Sequence, residues 1–383
     1  MNMRDFGPLA PERLYLHSPW CRTVCPYCAF PVQALRQGTT DTDFAALIAR
    51  EWSAWRSSFA GAAGPWRSIY FGGGTPSLLP VDDLAQILDV LGARRSDCEI
   101  TLEANPDDIC AERVGQWREL GITRVSVGVQ SFQPELQKRL GRAREARHLP
   151  SALASVAQHF GNWNLDLIYG SRWHSRELWQ ADLAAVRHWR PPHLSTYALT
   201  VEPGTAYARW SQRSGAVAAD DERVASQYHE MCEQLDWLAP YEVSNWSTQA
   251  TAARHNSAYW NRESCLALGP GAQGLLRNAS GAELRYGNTE ALSAWRHRVL
   301  TAEMGTDWWD PVDPAARRIE EIMLGLRSAR GVSLVTIGAA YMPRLQLWQA
   351  SGFGYTVGDR FFLHPREWIR ADLYVDQLLR EVP

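Results

Sequence analysis

The stretch Tyr15-Leu16-His17-Ser18-Pro19-Trp20-Cys21-Arg22-Thr23-Val24-Cys25-Pro26-Tyr27-Cys28-Ala29-Phe30 runs from a strand-like segment into three cysteines spaced C-x3-C-x2-C. Three thiols in one tight loop can converge on a single centre, and thiolates are favoured ligands of iron–sulfur clusters and of zinc. Three separate buried cysteines are the bland alternative, but a loop at a strand end is a poor place to bury them all. Zinc needs a fourth ligand, for which His17 is near, yet the paired C-x2-C elements typical of its sites are absent. Three protein ligands to a four-iron cluster leave one iron open to a substrate or cofactor. Cys98, Cys110, Cys232 and Cys265 show no ligand spacing and read as core or incidental residues.

Outward from this loop, strand-like runs at 13–17, 68–72, 99–104, 124–130, 164–170 and 194–200 alternate with segments of helical period at 44–59, 81–93, 112–120, 134–160 and 176–189. Such alternation implies a parallel sheet with right-handed crossovers. Six units are fewer than the eight of a closed barrel, so a partial (β/α)6 barrel is expected, with an open doubly wound sheet as the alternative. Either fold puts ligand chemistry at the C-terminal ends of the strands. Residues 241–288, rich in aromatics, Gly, Asn and Arg, read as loops and short strands capping the barrel mouth. A Pro- and Asp-containing break at 307–314 precedes a helical run. The expected division is therefore a barrel at 1–206, a cap and barrel-extending segment at 207–306, and a smaller, mainly helical C-terminal domain at 307–383.

Composition narrows the class. The chain has 383 residues, 45% hydrophobic and 21% charged, a net charge of −3 and seven cysteines. These proportions fit a soluble globular protein, and the mildly acidic balance argues against nucleic acid as a ligand. Nothing resembles a signal peptide or an 18-residue apolar span, so a cytoplasmic protein with reduced thiols is expected. Of the 18 tryptophans, those such as Trp52, Trp55, Trp117 and Trp189 read as packing residues.

Further motifs follow the later strands. Tyr70-Phe71-Gly72-Gly73-Gly74-Thr75-Pro76-Ser77 lets backbone amides approach a polar ligand, or simply makes a tight turn. Glu103, in Leu102-Glu103-Ala104-Asn105-Pro106, breaks an apolar run at the expected rim, where a salt-bridged surface role is the alternative. Asp166, in Asn164-Leu165-Asp166-Leu167, must be paired if buried, for structure or for function.

Taken together, the cysteine loop with its Tyr15-x-His17 lead and Cys28-Ala29-Phe30 ending resembles the radical S-adenosylmethionine (SAM) superfamily, in the coproporphyrinogen-dehydrogenase-related branch and specifically its HemW-type heme chaperones. The resemblance continues through Leu199-Thr200-Val201-Glu202-Pro203-Gly204-Thr205, Tyr241-Glu242-Val243-Ser244-Asn245 and Arg254-His255-Asn256-Ser257-Ala258-Tyr259-Trp260. It implies a partial barrel of radical SAM type, a 4Fe-4S cluster on Cys21, Cys25 and Cys28, and SAM contacts from Tyr15, Gly73 and Glu103. Positions matching Tyr27, Gly74, Thr75, Gln130, Arg142, Asp166 and Ala198 line a second SAM site in related enzymes. One-electron cleavage of SAM would yield a 5′-deoxyadenosyl radical.

Relatives that oxidise coproporphyrinogen carry a further cysteine where Phe30 stands, and a longer segment ahead of the first strand than the twelve residues here. Both differences favour the chaperone, which binds heme and delivers it to an acceptor protein, and argue against coproporphyrinogen oxidation. His255, in a polar loop, is the candidate heme ligand, with a hydrogen-bonded structural histidine as the alternative. Ala29, Trp20 and the Gly170-Ser171-Arg172 ending of the fifth strand depart from the chaperone pattern. They keep in play a porphyrinogen enzyme or a radical methyltransferase using two SAM molecules. The resemblance also implies an electron donor, leaves room for peripheral membrane contact during heme delivery, and is compatible with a monomer or a dimer.

Overall fold

The computed structural model describes residues 6–35, 40–41, 43–60, 64–142, 147–214, 221–301 and 304–380. Six parallel strands lie side by side in chain order: β1 Arg13–Ser18, β2 Trp66–Gly73, β3 Arg94–Ala104, β4 Arg124–Gln130, β5 Trp163–Tyr169 and β6 His193–Ala198. Helices Phe44–Arg56, Val81–Leu91, Ala111–Glu119, Leu149–His159 and Arg176–Trp189 make the crossovers. The expected α/β partial barrel is what forms.

The strands explain why. In β4 every residue is buried, with Val125, Val127 and Val129 on one face and Ser126, Gly128 and Gln130 on the other, where they line a cavity. A parallel strand covered on both faces needs this pattern: apolar under the helices, small or polar inside. Helix Val81–Leu91 buries Leu84, Ile87, Leu88 and Leu91, three and four apart, and ends at Gly92 in a left-handed conformation (φ +78°) that other residues resist. Each buried leucine contributes about 1.5–3 kcal/mol by leaving water.

The segment expected to cap the mouth and extend the barrel supplies further strands of the sheet. Strands β7 Ala239–Glu242 and β8 Asn245–Ser247 continue it antiparallel beyond β6, and β9 Leu266–Leu268 pairs parallel with β1 at the other edge. None of the residues lining the central cavity comes from 241–288. The strands at 245–247 and 266–268 spend their backbone hydrogen bonds on the sheet's two edges. Strands β10 Gln273–Arg277, β11 Glu283–Asn288 and β12 Thr306–Val312 form a second, antiparallel sheet. The fully buried Glu51 ties it to the barrel, accepting hydrogen bonds from Gly269 N–H (2.8 Å) and Asn288 Nδ2 (2.6 Å).

Because β12 pairs with β11, the expected boundary at 307 falls inside a sheet. The change of core comes at Asp313, whose carboxylate caps helix Pro314–Leu326 by accepting from Ala315 and Ala316 N–H, each at 2.8 Å. Beyond it, helices and a small three-stranded sheet bury Ile322, Leu326, Trp348, Phe361, Trp368 and Leu378 in a core of their own. Val243 N–H to Arg327 O and Ala329 N–H to Tyr241 O, both 2.9 Å, join this unit to the barrel. No helix among the described residues is long and apolar enough to cross a membrane.

Candidate functional site

A cavity of about 340 Å3 lies over the C-terminal ends of the barrel strands. In parallel α/β folds this end collects ligands, because successive loops converge there from residues far apart in sequence. Its walls include Cys21, Cys25, Tyr27 and Cys28 after β1, Gly73 at the end of β2 with Gly74 and Thr75 after it, and Glu103 from β3. Gln130 ends β4, Arg142 follows it, and Asp166 and Ala198 come from β5 and β6. Twelve of the fourteen residues picked out from the sequence thus share one cavity.

The cysteine loop is braced from both ends. Gln33 N–H donates to Pro19 O at 2.7 Å and Leu35 N–H to Cys21 O at 2.8 Å, while Cys28 N–H donates to Cys25 O at 3.1 Å. The glycines beside it are required by space. A Cβ on Gly74 would stand 2.5 Å from the Trp20 carbonyl oxygen, and one on Gly73 (φ +103°) would stand 2.6 Å from the His17 ring. Cys21, Cys25 and Cys28 are free thiols. Burial pushes the Cys21 thiol up to about 11, partly opposed by a hydrogen bond from Thr75, and raises Cys28 as well.

A directed chain of hydrogen bonds ends on one of these sulfurs. Arg142 donates to Asn105 Oδ1 (2.5 Å), Asn105 Nδ2 to Thr75 Oγ1 (3.2 Å), and Thr75 Oγ1 to Cys21 Sγ (3.6 Å). Opposite, Tyr70 O–H donates to Glu103 Oε1 at 2.6 Å. Desolvation lifts the Glu103 carboxyl to about 7, the Tyr70 hydrogen bond offsetting it in part and the neighbouring Asp166 adding to it. Asp166 accepts from Ser126 Oγ (3.0 Å) and Asn164 Nδ2 (2.7 Å), and burial raises its pKa too. It is therefore paired and faces the cavity.

Gln130 is held at φ +64°, an uncommon conformation for a residue with a side chain. The residues after it are clamped by the buried Asp182, which accepts from Ser131 Oγ (2.7 Å), Phe132 N–H (2.8 Å) and Gln133 Nε2 (3.0 Å). Nothing in the local sequence marks Asp182, which lies on a helix about fifty residues away. Tyr70 and Asn105 lie inside the motifs that carry Gly73 and Glu103, and Ser126 inside the strand run 124–130, yet nothing in the residue types there marks them as cavity-lining.

Two expected site residues stand outside the cavity. Tyr15 stacks on Tyr70 (6.1 Å) and its hydroxyl meets His17 Nδ1 at 3.0 Å. His17 Nε2 lies 3.3 Å from Pro31 O, so its N–H donates there and Nδ1 accepts from Tyr15; burial lowers the imidazole to about 4. With both nitrogens engaged, His17 is not free to complete a zinc site. Moreover, no three His, Cys, Asp or Glu side chains among the described residues are gathered at the spacing of a single ion.

His255 lies in helix Arg254–Trp260 rather than in a polar loop. Its Nδ1 is 2.9 Å from Ser68 Oγ, its Nε2 is 2.9 Å from Tyr259 O–H, and its ring packs on Tyr70 at 5.2 Å. Burial lowers its pKa to about 3. The expected heme ligand is thus a closed-in core histidine with neither nitrogen presented outward. Cys98, Cys110, Cys232 and Cys265 also lie outside the cavity.

Comparison with known proteins agrees with this geometry. The family model described as the radical SAM superfamily matches residues 15–172. A protein from Mycobacterium tuberculosis named heme chaperone HemW is 33% identical over 97% of this chain and 96% of its own length. The HemW of Escherichia coli is 35% identical over 73% of this chain and 74% of its own length. Among solved structures, Escherichia coli coproporphyrinogen III oxidase, described as a radical SAM enzyme, superposes with a TM-score of 0.79 at 16% identity. It covers 99% of this chain and 92% of its own. At that identity the match speaks for the fold. With its cysteine loop at the mouth of a six-stranded partial barrel and full-length relatives above 30% identity, the chain belongs to the radical SAM superfamily and, within it, to the HemW family.

Proposed function

We propose that this chain is a heme-handling radical SAM protein: it carries a 4Fe-4S cluster on Cys21, Cys25 and Cys28, binds SAM beside it, and delivers heme to an acceptor protein. The observation that carries this reading is one cavity gathering three free thiols and the Glu103, Asp166 and Arg142 charges, in a chain matched end to end by proteins named heme chaperones. The donors fit a metal centre. Three free thiols on one loop line one cavity, and burial holds Cys21 and Cys28 protonated despite the nearby Arg142, so that a bound metal would expel their protons.

When bound, cluster and SAM together supply reductive cleavage of a carbon–sulfur bond. The chain's own residues bind and orient. Glu103 and Asp166 present negative charge suited to the ammonium and sulfonium of SAM, and Arg142 suits a carboxylate. Since Glu103 sits near 7, a cationic ligand binds its ionised form, and affinity rises as pH climbs through about 7. Thr75, itself held by Asn105 and Arg142, donates to the Cys21 sulfur; hydrogen bonds to cluster sulfurs are one lever on reduction potential. Such a centre belongs in a reducing compartment, in keeping with a cytoplasmic protein.

Iron and acid-labile sulfide per chain after anaerobic purification, followed by heme titration read at the Soret band, test the proposal. Stoichiometric cluster and saturable heme binding are expected. Loss of either, with heme-independent turnover of SAM, would sink the chaperone reading. A radical enzyme using two SAM molecules is the second reading, favoured by Tyr27, Gly74, Thr75, Gln130 and Ala198 sharing the cysteines' cavity. It predicts S-adenosylhomocysteine accumulating beside 5′-deoxyadenosine.

A further inference from the structure

A second concavity, of about 500 Å3, opens beside the cysteine loop and is lined by Glu135, Lys138, Arg139, Trp173, Tyr207 and Trp210. Trp173 and Trp210 lie nearly parallel, ring centroids 5.3 Å apart at 17°, and the Arg139 guanidinium stands 5.6 Å from the Trp173 ring. Trp210 is 40% exposed, whereas most of the tryptophans described above are buried. Tyr207 completes the wall, its hydroxyl donating to the Arg139 carbonyl. Its N–H donates to Pro26 O at 2.9 Å and its ring lies 6.3 Å from Tyr27, so the pocket is built onto the cysteine loop.

A column of flat π faces beside two cations selects a flat, aromatic, anionic ligand. Among the described lining residues Lys138 and Arg139 outnumber one acid, Glu135, which leaves a net positive rim for carboxylates. We propose that this pocket docks a porphyrin through its ring and its two propionates, the macrocycle extending the tryptophan stack and the propionates meeting Lys138 and Arg139. This rests on the heme-handling reading above. Among the described residues no histidine, cysteine or methionine lines the pocket, and the Tyr207 hydroxyl is engaged with the Arg139 carbonyl. Recognition here is therefore of the ring and its carboxylates and is indifferent to iron.

The test uses the full chain, purified anaerobically and titrated with heme, metal-free protoporphyrin IX and protoporphyrin IX dimethyl ester. Heme and the metal-free ring should bind with equal affinity, within about threefold, and the ester roughly tenfold more weakly. Trp210→Ala and Lys138→Glu should each weaken the two acids by about tenfold or more, with circular dichroism unchanged. Trp308→Ala, at an exposed tryptophan on β12, should not. Lys138 is the only lysine, so an amine-reactive reagent reports on this pocket and the amino terminus alone, and porphyrin should protect it. Wild-type heme affinity in both pocket variants, or binding of heme without binding of the metal-free ring, overturns the pocket while leaving the heme-handling reading standing. Absence of saturable porphyrin binding by the unmutated chain overturns both.

Discussion

Replacing Gly74 by alanine adds a single methyl group at the tightest point of the cavity wall. The new Cβ would sit 2.5 Å from Trp20 O and 2.9 Å from Ser18 O. Ordinary contact begins at 3.4 Å, so the Trp20 carbonyl must retreat by about 0.9 Å, the difference between 3.4 and 2.5 Å. Neither side yields freely, because Gly74 N–H already donates to Ser18 O at 2.7 Å and the far side of the loop is held by Gln33 and Leu35. The displacement therefore passes into the Trp20–Cys21 peptide and moves Cys21, the first of the three proposed ligands. Functional constellations tolerate about 0.5 Å, so the shift exceeds what a ligand set absorbs. Overpacking of this kind costs about 1–3 kcal/mol of stability. The expected result is a folded protein with a lowered thermal midpoint and less than half the wild-type iron and sulfide per chain after identical anaerobic reconstitution. Gly115→Ala is the control: it lies inside helix Ala111–Glu119 with nothing within 4 Å, and should load normally and gain about 0.5–1 kcal/mol. A Gly74→Ala protein that melts and loads like wild type would refute the reasoning.

Two further outcomes follow from buried carboxylates. Burial lifts Glu51 from its ordinary 4.5 to about 8 despite two donors, so the folded state binds that proton more tightly than the unfolded chain does. The contribution is complete below about pH 4.5 and is lost as pH rises through about 8, on the order of 3–5 kcal/mol in all. Urea midpoints measured from pH 5 to 9 should fall less steeply in Glu51→Gln than in the wild type, in which Glu103 and Asp166 add to the slope; equal slopes would contradict it. Asp182→Ala leaves the donors of Ser131, Phe132 and Gln133 without their acceptor and releases the strained Gln130. It should weaken SAM binding about tenfold or more with iron content unchanged, at a stability cost of about 2–4 kcal/mol; an undiminished SAM affinity in calorimetry would count against a positioning role.

Much of this protein was legible along the chain because the signals are local. C-x3-C-x2-C brings three thiols into one loop by chain connectivity alone, and the period of two in runs such as Val125 to Val129 marks strands whatever they pack against. Parallel order then follows from the crossover helices, and with it the placement of Glu103, Gln130 and Asp166 at one end of the barrel. Other features depend on direction and distance in space. Tyr15 and His255 carry the right chemistry, but packing against Tyr70 turns both away from the cavity. Arg142, Asn105, Thr75 and Cys21 come from four separate loops and form one chain of hydrogen bonds only once neighbouring strands align their ends. The Asp182 clamp and the Trp173–Trp210 stack arise in the same way, from residues on elements that the sequence places far apart or leaves unpaired. A sequence states which groups are available and how neighbours along the chain repeat. Which of them face one another is set by the pleat and by the packing of helices on the sheet, and those are properties of the folded chain.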